Sequence, residues 1–272
     1  MIDAVAAHYR HRDAWYSSLV GPFLCPASRL AELTRHATEP LGVGLIVDTG
    51  TGDIGAAVRA VLDTPILQLR GVEVPLRDPA LTDGARRVAL ALDRARLDIE
   101  DWVDDDDTDD SLDADDVHMF VEVPIAGSWR SALDEIAATG HHAKLRTGGP
   151  APDAFPTESS VAEFILACME YDVPFKFTAG LHRAIRTTTA DGLEQHGFLN
   201  ALLAVADALD GADAPAIAAT LADRDGDRIA GRVRDLAPAR AVKVRSWLTS
   251  FGSCSIAEPL EDLTDFGLVT RE

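Results

Sequence analysis

The chain has 272 residues, 47% of them hydrophobic, enough to bury a sizeable core in one large α/β domain. Its 45 acidic side chains against 25 basic ones give a formal charge of -20, which argues against nucleic acid or an anionic membrane as partner, because both require a basic surface. Acidity this rich in aspartate, with Lys144, Lys176 and Lys243 as the only lysines, points to adaptation to high salt, as in a halophilic archaeon.

The opening MIDAVAAHYRHRDAW carries no apolar signal-peptide core, and no stretch approaches the roughly 20 apolar residues of a membrane span. A soluble, cytoplasmic protein is expected. Short apolar runs then alternate with longer segments of helical period, the pattern of βα units and a parallel sheet. The first strands read as LVGPFLC (19–25), VGLIVDT (43–49) and ILQLRGVEV (66–74). Within 101–116, ten of sixteen residues are Asp; without glycine or calcium-loop spacing this is a solvated acidic loop leading into the strand HMFVEVP (118–124). Next comes HAKLRT (142–147). Ser160 and Glu163 have capping-box spacing, and Val161, Phe164, Ile165 and Cys168 recur on one face, which predicts a helix before the strand PFKFTA (174–179).

Residues 196–240 hold more helix than one βα unit requires, leaving 229–233 as the place for an irregular extra strand. DRDGD at 223–227 has the acidic spacing of a calcium loop but no Glu at the twelfth position. The last strand is WLTSFGSC (247–254). Cys25, Cys168 and Cys254 are too few and scattered for a disulfide framework or a zinc site, which fits a reducing cytosol. No linker divides the chain. The expected fold is an α/β, single (β/α)8 (TIM) barrel over 1–272 with an irregular seventh βα unit. A homodimer is common for such folds.

Barrel active sites lie at the carboxyl ends of the strands, and strand alternation sorts the residues there. Lys144 and Arg146 share one face with Leu145 on the other; Lys176 and Thr178 share one face with Phe175 and Phe177 on the other. The same rule sets Glu122 beside Phe120 and Asp48 beside Ile46. Two ammonium groups confined on adjacent strands disfavour each other's charge, so one lysine is expected to be able to attack a carbonyl, which arginine cannot do. Glu122 or Asp48 would then move protons, with His182 as a further carrier. The competing structural reading makes the lysines salt-bridge partners of Glu122 and Asp48 in a polar barrel end.

Anion-binding groups surround these positions. Thr147, Gly148 and Gly149, then Thr178 and Gly180, then Ser250, Gly252, Ser253 and Ser255 can present backbone N–H groups and hydroxyls. Arg146, Arg183 and Arg186 can hold a phosphate or carboxylate. Taken as ordinary turns, the glycines need no ligand. His196 reads as a capping or packing residue as readily as a functional one. Cys254 could serve as a nucleophile, but without an obvious partner histidine it reads more readily as a buried small residue.

Through KLRTGG and KFTAG the sequence resembles class I aldolases of the deoxyribose-phosphate aldolase type. By that resemblance Lys144 would form the Schiff base and Lys176 would tune it, although Arg146 stands where the family has a small residue. LHRAIR, HGFLN and SFGSCSIAEPLEDL lie outside that pattern and look more like an uncharacterised (β/α)8-barrel family of bacteria, archaea and plants. The expected function is a lyase or isomerase for a small anionic carbonyl compound, without a cofactor. One alternative is a lysine base that abstracts a proton next to a carboxylate, assisted by a metal on Asp48, Glu73 and Glu122. The other is a non-enzymatic barrel that binds a phosphorylated metabolite.

Overall fold

The computed structural model describes residues 1–105 and 114–270. The chain packs as two compact units, Met1–Val123 with Gly127–His142, and Pro124–Ala126 with Ala143–Glu272.

In the first unit the apolar runs form β1 (Phe23–Pro26), β2 (Leu41–Ile46), β3 (Leu67–Pro75) and β4 (His118–Glu122). Each pairs with the next in parallel, Cys25 beside Leu45, Ile46 beside Glu73 and Pro75 beside Glu122. Val43, Leu45, Leu69, Val72, Met119 and Val121 are all buried, as a parallel sheet covered on both faces requires. In the helix Leu81–Asp105, Ala85, Val88, Leu92, Ala95 and Ile99 recur every three or four residues and are buried, and the helix packs beside Trp129–Ala137. The acidic run is only partly a loop, since 101–105 are the last turn of that helix and 114–116 a 3-10 turn. Its centre, 106–113, lies outside the described residues.

The second unit holds β5 (His142–Arg146, less its first residue), β6 (Phe175–Thr178), a small hairpin of β7 (Thr187–Thr188) and β8 (Glu194–Gln195), and β9 (Leu248–Gly252). The helix Glu158–Glu170 joins β5 to β6. Its cap is Thr157, whose side chain accepts the N–H of Ser160 at 3.2 Å, so the helix starts earlier than the Ser160–Glu163 spacing predicts. The extended backbone at Thr157, after Pro156, decides the position. Phe164 of this helix meets Phe175 and Phe177 at ring-centroid distances of 5.6 and 6.2 Å. Phe251 of β9 stacks on Phe198 of the helix Phe198–Leu209 at 5.0 Å. Such pairs add ~0.5–1.5 kcal/mol each beyond their area. They commit one face of β6 and β9 to the helices and leave Lys176 and Ser250 on the other.

The strand order is β1-β2-β3-β4 in the first unit and β5-β6-β9 in the second, parallel throughout, with β7 and β8 as a separate antiparallel pair. The α/β class holds, but the expected eight barrel strands are corrected to seven long strands among the described residues. Residues 229–233 lie in the helix Gly226–Arg234, one of four helices between β8 and β9, with Phe198–Leu209, Ala214–Ala222 and Pro238–Trp247. Local chemistry accounts for this. Asp213 and Asp225 cap their helices by accepting the N–H groups of Ala216 and Arg228, and Pro215 and Pro238 stand in first turns. The DRDGD segment is therefore a cap and an ion pair, with Asp225 on the helix N-terminus and Asp223 on the Arg228 guanidinium at 2.7 Å.

Candidate functional site

The β5–β6–β9 ladder sets the lysines side by side. Lys144 is the direct register partner of Lys176, and Lys176 of Ser250. Register partners on parallel neighbours share a face, with backbones about 4.8 Å apart. One rung nearer the carboxyl ends stand Arg146, Thr178 and Gly252. A register shift between Phe175 and Lys176 aligns Ser250 rather than Thr249 with the lysine. Lys144 is 1% and Lys176 6% exposed, whereas Arg146 is exposed, so the face runs from buried amines to an open guanidinium. A buried ammonium is costly unless it is partnered, and neither lysine is without a partner.

Beyond the rungs, two glycine turns lock together. The Thr147 N–H donates to the Thr178 carbonyl at 2.8 Å, and its hydroxyl donates to the Ala179 carbonyl at 2.7 Å. Ala179 N–H donates to the Gly252 carbonyl at 3.0 Å, tying β6 to β9. Ala179, Gly180 and Leu181 are all left-handed, with φ of 62°, 72° and 50°. Left-handed backbone costs a residue with a Cβ about 1–2 kcal/mol, and such strain gathers at functional sites. A Cβ on Gly148 would sit 2.8 Å from the Gly180 nitrogen, which explains glycine there. Among the described residues the N–H groups of Gly148, Gly149 and Gly180 have no hydrogen-bond partner in the chain.

The left-handed turn delivers His182. Its Nδ1 donates to Glu258 Oε2 at 2.6 Å, and its Nε2 accepts from Cys254 Sγ at 3.3 Å. The hydrogen bond from His182 holds the Glu258 carboxyl below its usual range. Cys254 is exposed and histidine-bonded, which corrects its reading as a buried, partnerless thiol. Cys25 and Cys168 are buried, and burial pushes both thiols up, Cys25 to about 11. Ser255 Oγ accepts the Glu258 N–H at 3.2 Å, and Ser253 Oγ accepts the Ser255 N–H at 3.3 Å. Glu258 was not singled out from the sequence; the Ser255-x-x-Glu258 spacing is the signal that could have found it.

Other expected residues have structural partners. Arg183 pairs with Asp262 at 2.7 Å, and Arg186, 8% exposed, pairs with Glu158 and Glu194. Both border a groove of about 620 Å³, with Arg224 and Phe266 also on its walls. His196 is buried, donates from Nε2 to the Pro156 carbonyl at 2.8 Å, and is lowered mainly by burial, as a packing residue would be. Asp48, Glu73 and Glu122 belong to the first unit. Asp48 accepts the hydroxyl and N–H of Ser28 at 2.6 and 3.0 Å, which hold its carboxyl below the usual range. Among the described residues no three His, Cys, Asp or Glu side chains are grouped to hold a metal. Among the described residues no helix is long and apolar enough to cross a membrane.

No protein-family model matches the chain and no curated protein sequence matches it. The α/β architecture of parallel strands and helices is what the structure supports of the class read from the sequence.

Proposed function

We propose that the β5–β6–β9 face binds a small anionic carbonyl compound and that Lys144 or Lys176 forms an imine with it, in a lyase or isomerase. The observation that carries the reading is the direct register of two buried lysines on adjacent strands, one rung below a hydroxyl, a guanidinium and two glycine turns. In this chemistry the amine adds to the carbonyl carbon and water leaves. The protonated imine then accepts the electron pair of a neighbouring C–C or C–H bond, and hydrolysis returns the amine. Arg146 and the N–H groups of Gly148, Gly149 and Gly180 would hold the phosphate or carboxylate.

The test is borohydride reduction in high salt with a pool of small aldehydes, ketones and sugar phosphates, followed by peptide mass spectrometry. A reduced adduct on Lys144 or Lys176, lost in the corresponding Lys→Arg variant, is the expected result. A folded protein that yields no adduct refutes imine chemistry for that pool. Saturable sugar-phosphate binding without an adduct would favour the ligand-binding alternative.

A further inference from the structure

We propose that Cys254, His182 and Glu258 form a second reactive centre, in which a thiol nucleophile, an imidazole base and an orienting carboxylate transfer acyl groups from small carboxylic esters or thioesters. Nothing in this proposal depends on the lysines. Three observations carry it. The contacts form one chain, Sγ to Nε2 at 3.3 Å and Nδ1 to Oε2 at 2.6 Å, the order that nucleophile, base and orienter require. A carboxylate only accepts, so Glu258 places the imidazole hydrogen on Nδ1 and leaves the Nε2 lone pair for the thiol. Cys254 is the exposed cysteine, and its side chain lies where an external electrophile can reach it.

Each member is held from a different direction. His182 follows the left-handed turn at the end of β6, Cys254 lies two residues beyond β9, and Glu258 sits in the first turn of the helix Ala257–Asp265. Ser255 fixes that turn through the Glu258 N–H. The Cys254 N–H has no hydrogen-bond partner among the described residues, and the nucleophile's own N–H is a common donor to the oxyanion of an acyl-transfer intermediate.

The reaction balances without another cofactor. The Sγ proton passes to Nε2 as sulfur bonds to the carbonyl carbon. The bond to the alkoxide or thiolate leaving group breaks, and that group takes the proton from Nε2. Water, deprotonated by Nε2, attacks the Cys254 thioester, and the departing sulfur recovers the proton. Glu258 is a positioning residue in this scheme, since it acts through His182.

The experiment uses the full chain in high salt with p-nitrophenyl acetate at neutral pH, read by nitrophenolate release and peptide mass spectrometry. The expected result is acetyl on Cys254, turnover, and no Cys254 adduct in Cys254→Ala. His182→Gln should slow acylation by about 10²-fold or more, within the range of general-base catalysis. Glu258→Gln should slow it less and change its pH profile, with the melting temperature unchanged. Acetyl found only on lysine, or equal rates in wild type and His182→Gln, overturns the proposal. Should His182→Gln not fold, iodoacetamide labelling of wild type replaces it. Native Cys254 must then react faster than the same thiol in urea-unfolded chain, and an equal or slower native rate overturns the proposal.

Discussion

His142 makes the fold acid-labile by a calculable amount. Its ring lies against His118 at 4.9 Å and meets Phe120 at 5.2 Å, and its Nδ1 is buried without a hydrogen-bond partner. Burial first, then the nearby charges of His118, His141 and Arg96, pull its pKa down to about 4. An unfolded chain titrates the same ring near ~6.5. Above that pH both states are neutral and the residue carries no penalty. As the pH falls, the unfolded chain takes a proton that the folded one refuses, so stability drops until it levels off below about 4. Each unit of separation is worth ~1.36 kcal/mol, which gives about 2 kcal/mol lost by pH 5 and ~3 kcal/mol in the limit. His142→Phe keeps a ring against Phe120 and removes the titration. Urea unfolding of both proteins at pH 7.5 and pH 5, in constant KCl, measures the difference between their pH responses. The variant should gain about 2 kcal/mol relative to wild type on going to pH 5. A relative change below ~0.5 kcal/mol would refute the account, because it would mean the ring takes up its proton in the folded state.

Other outcomes follow from single contacts. Gly148→Ala places a methyl group against the Gly180 backbone rather than a movable side chain, and should cost ~1–3 kcal/mol in thermal denaturation as well as lowering any lysine adduct yield. Removing the cap hydroxyl in Thr157→Ala should cost ~1 kcal/mol, and no change in melting temperature would show that water replaces it. With a formal charge of -20, the melting temperature should climb as KCl rises from about 0.1 to 2 M, and a flat profile would remove the case for high-salt adaptation.

The strands β2, β3 and β4 were legible because each is a run of mostly buried apolar residues, a signal that does not depend on distant contacts. Residues 229–233 show where such reading stops. Five residues cannot separate period 2 from period 3.6, and what settles the matter is Asp225 accepting the Arg228 N–H, a cap outside the window. The same limit displaced the start of the helix Glu158–Glu170, since Ser160 and Thr157 offer similar hydroxyls and the extended backbone at Thr157 chooses between them.

The site divides along the same line. Lys144 and Lys176 could be paired from sequence because each precedes its strand's end by two residues, so parallel neighbours bring them into register. Cys254 and His182 stand 72 positions apart and meet only because β9 pairs with β6 after four helices have been passed. Nothing local in either segment encodes that adjacency. What the local sequence does encode is the device that uses it. Ala179 and Leu181 take left-handed backbone at a cost that the Thr147 hydroxyl and the Gly252 carbonyl help to offset, and a turn so held points the next residue, His182, at the β9 end. A relaxed turn would satisfy β6 equally well as a strand. The strain is therefore better explained by the position of the imidazole than by the stability of the sheet.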